Sequence, residues 1–119
     1  MAKSGSIPPE RLASYERVVA TQPGLPRKGA TVPYTSVNGN MFSFLTPEGT
    51  LALRLPAPER EEFLERFHTS LHEAHGTVMK EYVTVPGQLF EATEQLLPYF
   101  AASYAYASSL KPKPTRRAR

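Results

Sequence analysis

The segment Met41–Leu55, MFSFLTPEGTLALRL, constrains this chain more than any other. Two runs of apolar and β-favouring residues flank Pro47-Glu48-Gly49. Pro47 suits the second position of a type I turn, and Gly49 the left-handed position that follows it. A turn of that kind pairs Thr46 with Thr50, and the register outward then follows. Leu45 faces Leu51, Ser43 faces Leu53 and Met41 faces Leu55 on an apolar side. Phe44 meets Ala52, and Phe42 meets Arg54, on the other. In that register Arg54 lies across the Phe42 ring, a cation–π contact worth about 0.5–1 kcal/mol when exposed.

The flanking sequence extends this hairpin. Asn38-Gly39 has the residues of a two-residue I′ turn, and Thr31, Val32 and Tyr34 favour a strand that Pro33 confines to an edge. Thr31–Leu55 therefore reads as a three-stranded meander, with a short first strand over 31–36. Pro8 and Pro9 open a helix that runs to about Gln22, with Leu12, Tyr15 and Val19 at helical spacing. After the hairpin, Pro58 and Glu59, Glu61 and Glu62 mark a second helix start. Phe63, Leu64, Phe67 and Leu71 give it an apolar stripe, and Gly76 is its expected end. Residues 77–86, TVMKEYVTVP, are a strand rich in β-branched residues and closed by Pro86. From Gly87 to about Leu110 the pattern is helical, with Thr93 as N-cap of the main part and Pro98 producing a kink or a late start. The expected fold class is α+β, with one antiparallel sheet (the meander plus a later strand) packed against helices.

The 119 residues make one domain with a real core, 1–110, followed by a basic tail, 111–119. Lys111, Lys113, Arg116, Arg117 and Arg119 carry five of the 14 basic residues, which leaves nine basic against 11 acidic residues in 1–110. The net charge of +3 thus describes the tail, not the body. Those five residues are the candidate nucleic-acid contacts, through salt-sensitive attraction to phosphates. The tail has no aromatic residue for base stacking. There is no cysteine, which removes disulfides, thiolate metal sites and cysteine nucleophiles. All acidic residues are glutamate, so the aspartates common in magnesium and calcium sites are missing as well. No apolar run reaches a membrane span, and MAKSGSIPPE lacks the apolar segment of a secretory signal, so a cytoplasmic location is expected and no membrane partner.

The one constellation with a metal-like spacing is HTSLHEAH. On a helix, His68 and His72 share a face, and His75 follows three residues later. Thr69 stands where a zinc-protease helix has its glutamate. The plainer reading is a polar helix end, and no metal or cofactor is expected. The alternative is a metal-binding protein or enzyme that uses His68, His72 and His75. Serines 36, 43 and 70 have no glycine elbow, and the glycines are too scattered for a phosphate loop. Asn40, Phe42 and Arg54 share a strand face by alternation and form the candidate ligand or partner face. The last helix is apolar on two sides, through Tyr99, Ser103, Tyr106 and Leu110 and through Leu97, Phe100 and Tyr104. Such a helix can serve a homodimer.

NGNMFSFLTPEGTLALRL resembles the opening hairpin of the TfoX N-terminal domain family, in which Met-Phe lies just inside the first strand and a glycine turn leads to a strand with a basic end. EYVTVP, with LFEATEQLLPYFAASYAYA behind it, resembles that family's later strand ending in Val-Pro and its following helix. The resemblance runs from Lys28 to Leu110. It implies a compact, YjbR-like α+β domain, and a single-domain member of the family. It also implies a non-enzymatic binding or regulatory role, since relatives are associated with competence regulation or proposed DNA binding and have no agreed catalytic residues. The partner it suggests is nucleic acid or a regulatory protein.

Overall fold

The computed structural model describes residues 7–22, 24, 25, 29, 33–74 and 76–111. In chain order these form α1 (Pro9–Ala20), β1 (Tyr34–Val37), β2 (Asn40–Leu45), β3 (Leu51–Arg54), α2 (Ala57–Arg66), β4 (Leu71–Ala74), β5 (Thr77–Val85), α3 (Gly87–Glu91) and α4 (Thr93–Ser109). The fold is α+β: one five-stranded antiparallel sheet in the order β1-β2-β3-β5-β4, with helices packed against it. No described helix is long and apolar enough to cross a membrane.

Local turn chemistry sets the meander. Asn38 and Gly39 both have positive φ, 54° and 79°, as a I′ turn requires, and Val37 pairs with Asn40 across them. Gly49 has φ 90°, and its amide bonds the Thr46 carbonyl while the Thr46 amide bonds that of Thr50. Leu45 faces Leu51, Phe44 faces Ala52 and Ser43 faces Leu53, the register that the turn dictates.

Beyond Ser43 the ladder departs from that register. Thr35 pairs with Ser43 but Ser36 pairs with Met41, so Phe42 is the extra residue of a β-bulge. The bulge reverses the expected sides. Phe42 is fully buried against Phe100 and Tyr104 of α4, while Met41 packs with Phe44 and Tyr82 on the opposite face. The predicted pairs Phe42–Arg54 and Met41–Leu55 are absent from the ladder for the same reason. Side chains satisfy the freed carbonyls: Ser103 Oγ donates to Phe42 O (3.1 Å), and Tyr82 OH (2.8 Å) and Arg54 Nη1 (3.2 Å) donate to Met41 O.

The core lies between the sheet and the helices. Leu45, Leu51, Leu53, Val83 and Val85 meet Tyr15, Val18 and Val19 of α1, Phe63 of α2, Leu89 and Phe90 of α3, and Leu96 and Phe100 of α4. Each fully buried side chain of this size contributes about 1.5–3 kcal/mol over its exposed state. Ser43 lies within this face. Its hydroxyl is hydrogen-bonded to Tyr15 OH (2.7 Å) and to Thr35 Oγ1, so no polar atom of that trio is buried alone.

The expected helix over 57–76 is instead a helix and a strand. α2 stops at Arg66, His68 takes a left-handed φ of 52°, and the Thr69 amide reaches back to Leu64 O, closing a Schellman cap. Thr69 Oγ1 then bonds Thr84 O, Ser70 O accepts the Thr84 amide, and Leu71 pairs with Val83. The i, i+4 stripe of Phe63, Phe67 and Leu71 is real as burial, but Leu71 joins the core from β4. α4 begins at Thr93, with Ala92 at the N-cap position where Thr93 was expected, and it continues through Pro98 to Ser109.

Candidate functional site

Every helix packs on one face of the sheet. The other face holds a second, smaller cluster, made of Phe44, Ala52 and Tyr82 with Tyr34, Met41 and Met79, all from strands. The sheet curls around this cluster. Neighbouring strands lie about 4.8 Å apart, so β2 and β4, three steps distant, would be about 14 Å apart in a flat sheet. Yet the Phe44 and His72 rings meet edge to face at 5.2 Å. Curvature enters where β4 and β5 lose register. Leu71 pairs with Val83 but His72 pairs with Met79, leaving Lys80, Glu81 and Tyr82 with no partner on β4. A bulge of this size bends the strand that carries it. The hairpin of β4 and the first half of β5 therefore folds toward β2.

A groove opens beside the ring pair, between the Thr46–Thr50 turn and β4. It comprises two adjoining depressions of about 460 and 330 Å³ that share Thr46, Glu48, His72 and Glu73. Phe44 and Pro47 wall the larger one; Thr50, Ser70 and Thr84 line the smaller. His72 is only 8% exposed, and no hydrogen bond to its ring is found among the described residues. Burial holds its imidazole below the usual value, partly offset by the charge of nearby Glu48, so the ring is neutral near pH 7. Glu48 and Glu73 are exposed, and neither has an ion-pair partner among the described residues. The groove thus combines an aromatic wall, a neutral imidazole and two uncompensated carboxylates.

A second polar cluster joins α4 to the sheet. Arg54 Nε donates to Glu81 Oε1 at 2.7 Å, Tyr106 OH donates to Glu81 Oε2 at 2.8 Å, and the Arg54 guanidinium lies 5.9 and 5.8 Å from the Tyr82 and Tyr106 ring centres. Desolvation alone would raise the Glu81 carboxyl, but the hydrogen bonds from Arg54 and Tyr106 and the Arg54 charge outweigh it and hold the group below its ordinary range. Burial raises the Tyr82 and Tyr106 hydroxyls, Tyr106 further through its bond to Glu81, so both remain protonated donors. Arg54 Nε and Nη1 are both bonded within the chain, to Glu81 and to Met41 O, which makes this cluster a clamp.

The structure separates the residues that alternation grouped as a ligand face. Phe42 is in the core through the bulge, and Arg54 lies against Tyr82 and Tyr106 rather than over the Phe42 ring. Asn40 is 2% exposed, its amide donating to Asn38 O and Lys111 O. It secures the end of α4 to the first turn. The side chain of Arg54 is 18% exposed and faces no common surface with the other two. The histidine constellation is also undone: His68 caps α2 and His72 belongs to β4, so the shared helical face does not exist, and His75 lies outside the described residues. Among the described residues no three His, Cys, Asp or Glu side chains are grouped as a metal site. Lys111 is exposed; Lys113, Arg116, Arg117 and Arg119 lie outside the described residues. The tyrosines of α4 pack internally. Tyr99 stands edge-on to Phe63 and Phe67, Tyr104 contacts Phe42 and Tyr106 holds Glu81, so the exposed residues of α4 are Glu94, Gln95, Pro98, Ala101, Ala105, Ser108 and Ser109.

Sequence reasoning missed the groove because it hid β4. One signal was present: LHEA and TVM flank a glycine as two short strands flank a turn. Gly76 has φ 77°, and Ala74 pairs with Thr77 across it. Comparison with protein-family models, curated proteins and solved structures finds no match.

Proposed function

We propose that this chain is a non-enzymatic binding or regulatory domain of the TfoX N-terminal kind, and that it engages its partner through the helix-free face of the sheet. One observation carries this reading: the Phe44–His72 pair opens into a groove where a nearly buried imidazole has no hydrogen-bond partner among the described residues. Elsewhere the buried polar side chains Thr35, Ser43, Asn40 and Ser103 are satisfied internally. An unsatisfied polar group costs about 1–3 kcal/mol, and one that borders a groove is available to a ligand. The test is an amide-resolved NMR titration of the whole chain with short cationic, neutral and anionic peptides and with duplex DNA. Shifts centred on Phe44, Glu48, His72 and Glu73 with at least one probe are expected. Binding confined to other surfaces, or to none, defeats the reading.

A second reading rests on the five basic residues in 111–119. Duplex DNA bound through that segment would dissociate steeply as salt rises, while Glu48 and Glu73 repel phosphate from the groove. Fluorescence anisotropy of the full chain, compared with a variant carrying glutamine at Lys111, Lys113, Arg116, Arg117 and Arg119, decides it. Unchanged affinity in the variant removes the tail from consideration.

A further inference from the structure

We infer that the groove between the Thr46–Thr50 turn and β4 receives an arginine side chain from a basic peptide segment of a partner protein. The inference deepens the groove-binding reading above and rests on it.

Charge complementarity selects the ligand's sign. Glu48 stands on the turn side of the groove and Glu73 on the strand side, and among the described residues no lysine or arginine lines either depression. Neither carboxylate has an ion-pair partner among the described residues. Walls that carry one sign of charge concentrate field into a cleft and favour a ligand of the opposite sign. The Glu81 carboxylate, by contrast, is already held by Arg54 and Tyr106.

The inner end of the groove selects the shape. His72 is more than nine-tenths buried, lines both depressions, and lacks a hydrogen bond among the described residues. As a neutral imidazole it offers one ring nitrogen as acceptor and the other as donor. Phe44, edge to face with it, forms an adjoining aromatic wall. A guanidinium is planar, stacks on aromatic faces and carries five N–H donors that diverge in one plane. It can therefore lie against Phe44, donate to the His72 nitrogen and the Thr46 hydroxyl, and pair with Glu48 or Glu73. An ammonium makes a point contact and uses fewer of these partners. An anionic ligand meets two carboxylates, and a purely apolar one leaves the imidazole unpaired.

The probes are Ac-Ala-Arg-Ala-NH2 and its lysine, glutamine and glutamate analogues, titrated into the full chain with amide shifts read at Phe44, Glu48, His72 and Glu73. The arginine peptide is expected to bind there at least about tenfold more tightly than the glutamine analogue, and to weaken with salt as exposed ion pairs do. The double variant E48Q/E73Q, altered only at exposed positions, should lose about tenfold in affinity for the arginine peptide while the glutamine analogue is unaffected. His72→Phe, which keeps a ring against Phe44 but removes the nitrogen, should weaken the arginine peptide as well. Equal binding of arginine and glutamine peptides at these residues overturns the cationic assignment and leaves the groove-binding reading standing. So does full affinity in E48Q/E73Q. Absence of any shift in the groove with all four peptides and with DNA overturns both.

Discussion

Ser103 of α4 donates its hydroxyl to the carbonyl of Phe42, the extra residue of the β2 bulge. The two residues explain each other. The bulge turns the Phe42 ring into the core and releases its carbonyl from the ladder, and a helix laid over that point must supply a donor or strand a buried acceptor. Both residues are fully buried. Ser103→Ala therefore removes the donor and leaves the acceptor dry. Urea denaturation should show a loss of about 1–3 kcal/mol, more than the usual cost of deleting an oxygen from an exposed serine. A change within about 0.5 kcal/mol would mean that the bulge does not depend on this bond.

His72 should make stability depend on pH near neutrality. Its native imidazole takes up a proton only below the ordinary value of 6.5, chiefly because burial opposes the charge, with Glu48 partly compensating. As pH falls through 6.5 the unfolded chain binds the proton first. Stability then rises with pH across this window and is lost as pH drops below it. Urea midpoints measured from pH 7.5 to 5.5 should decline in the native sequence and flatten in His72→Phe. A slope that survives this substitution assigns the effect to another group.

The Arg54–Glu81 clamp acts in a lower window. The Glu81 carboxyl is held below 4.5 in the folded chain, so its contribution is fully present above that value and disappears as pH falls through the folded pKa. Arg54→Met strips Met41 O of one donor and Glu81 of its charged partner, with an expected cost of about 1–3 kcal/mol at pH 7. The same substitution made in Glu81→Gln should cost less, since the charge it would orphan is gone. Additive losses from the two changes in chemical denaturation would show that the pair is not coupled.

Gly49→Ala tests the first turn. A side chain there must adopt φ 90°, and its Cβ would lie 2.8 Å from Arg11 Cγ, on a side chain whose guanidinium sits 5.7 Å from the Phe90 ring centre. The left-handed backbone alone costs about 1–2 kcal/mol. The close contact adds to it, so thermal and urea unfolding should show about 2–3 kcal/mol in all. With Arg11→Ala as background the steric part should shrink, since the Cγ contact goes while Arg11 Cβ and Pro8 Cδ stay at 3.3 Å, and the backbone part should persist. A neutral Gly49→Ala would refute the turn geometry.

How much of this was legible beforehand varies with the range of the interactions that decide each element. Asn38-Gly39 and Pro47–Gly49 determine their turns through backbone preferences of one or two residues, and those turns impose the pairing of Ser43, Phe44 and Leu45 with Leu53, Ala52 and Leu51. The proline and glutamate positions mark the starts of α1 and α2, and the β-branched run marks β5. These follow from the sequence alone, as does the α+β class. The side on which Phe42 lies does not, because a bulge changes alternation, and its buried, ladder-free carbonyl is tolerated only where Ser103 of a distant helix can reach it. Nor does the fate of Leu71. Its spacing from Phe63 and Phe67 satisfies a helix, yet the edge offered by β5, with Thr69 and Ser70 bonded to Thr84, wins it for a strand. That decision carried His72 off the helix and against Phe44. The candidate site is therefore a product of the tertiary structure: its two rings come from strands three steps apart, and only the bend in β5 brings them together.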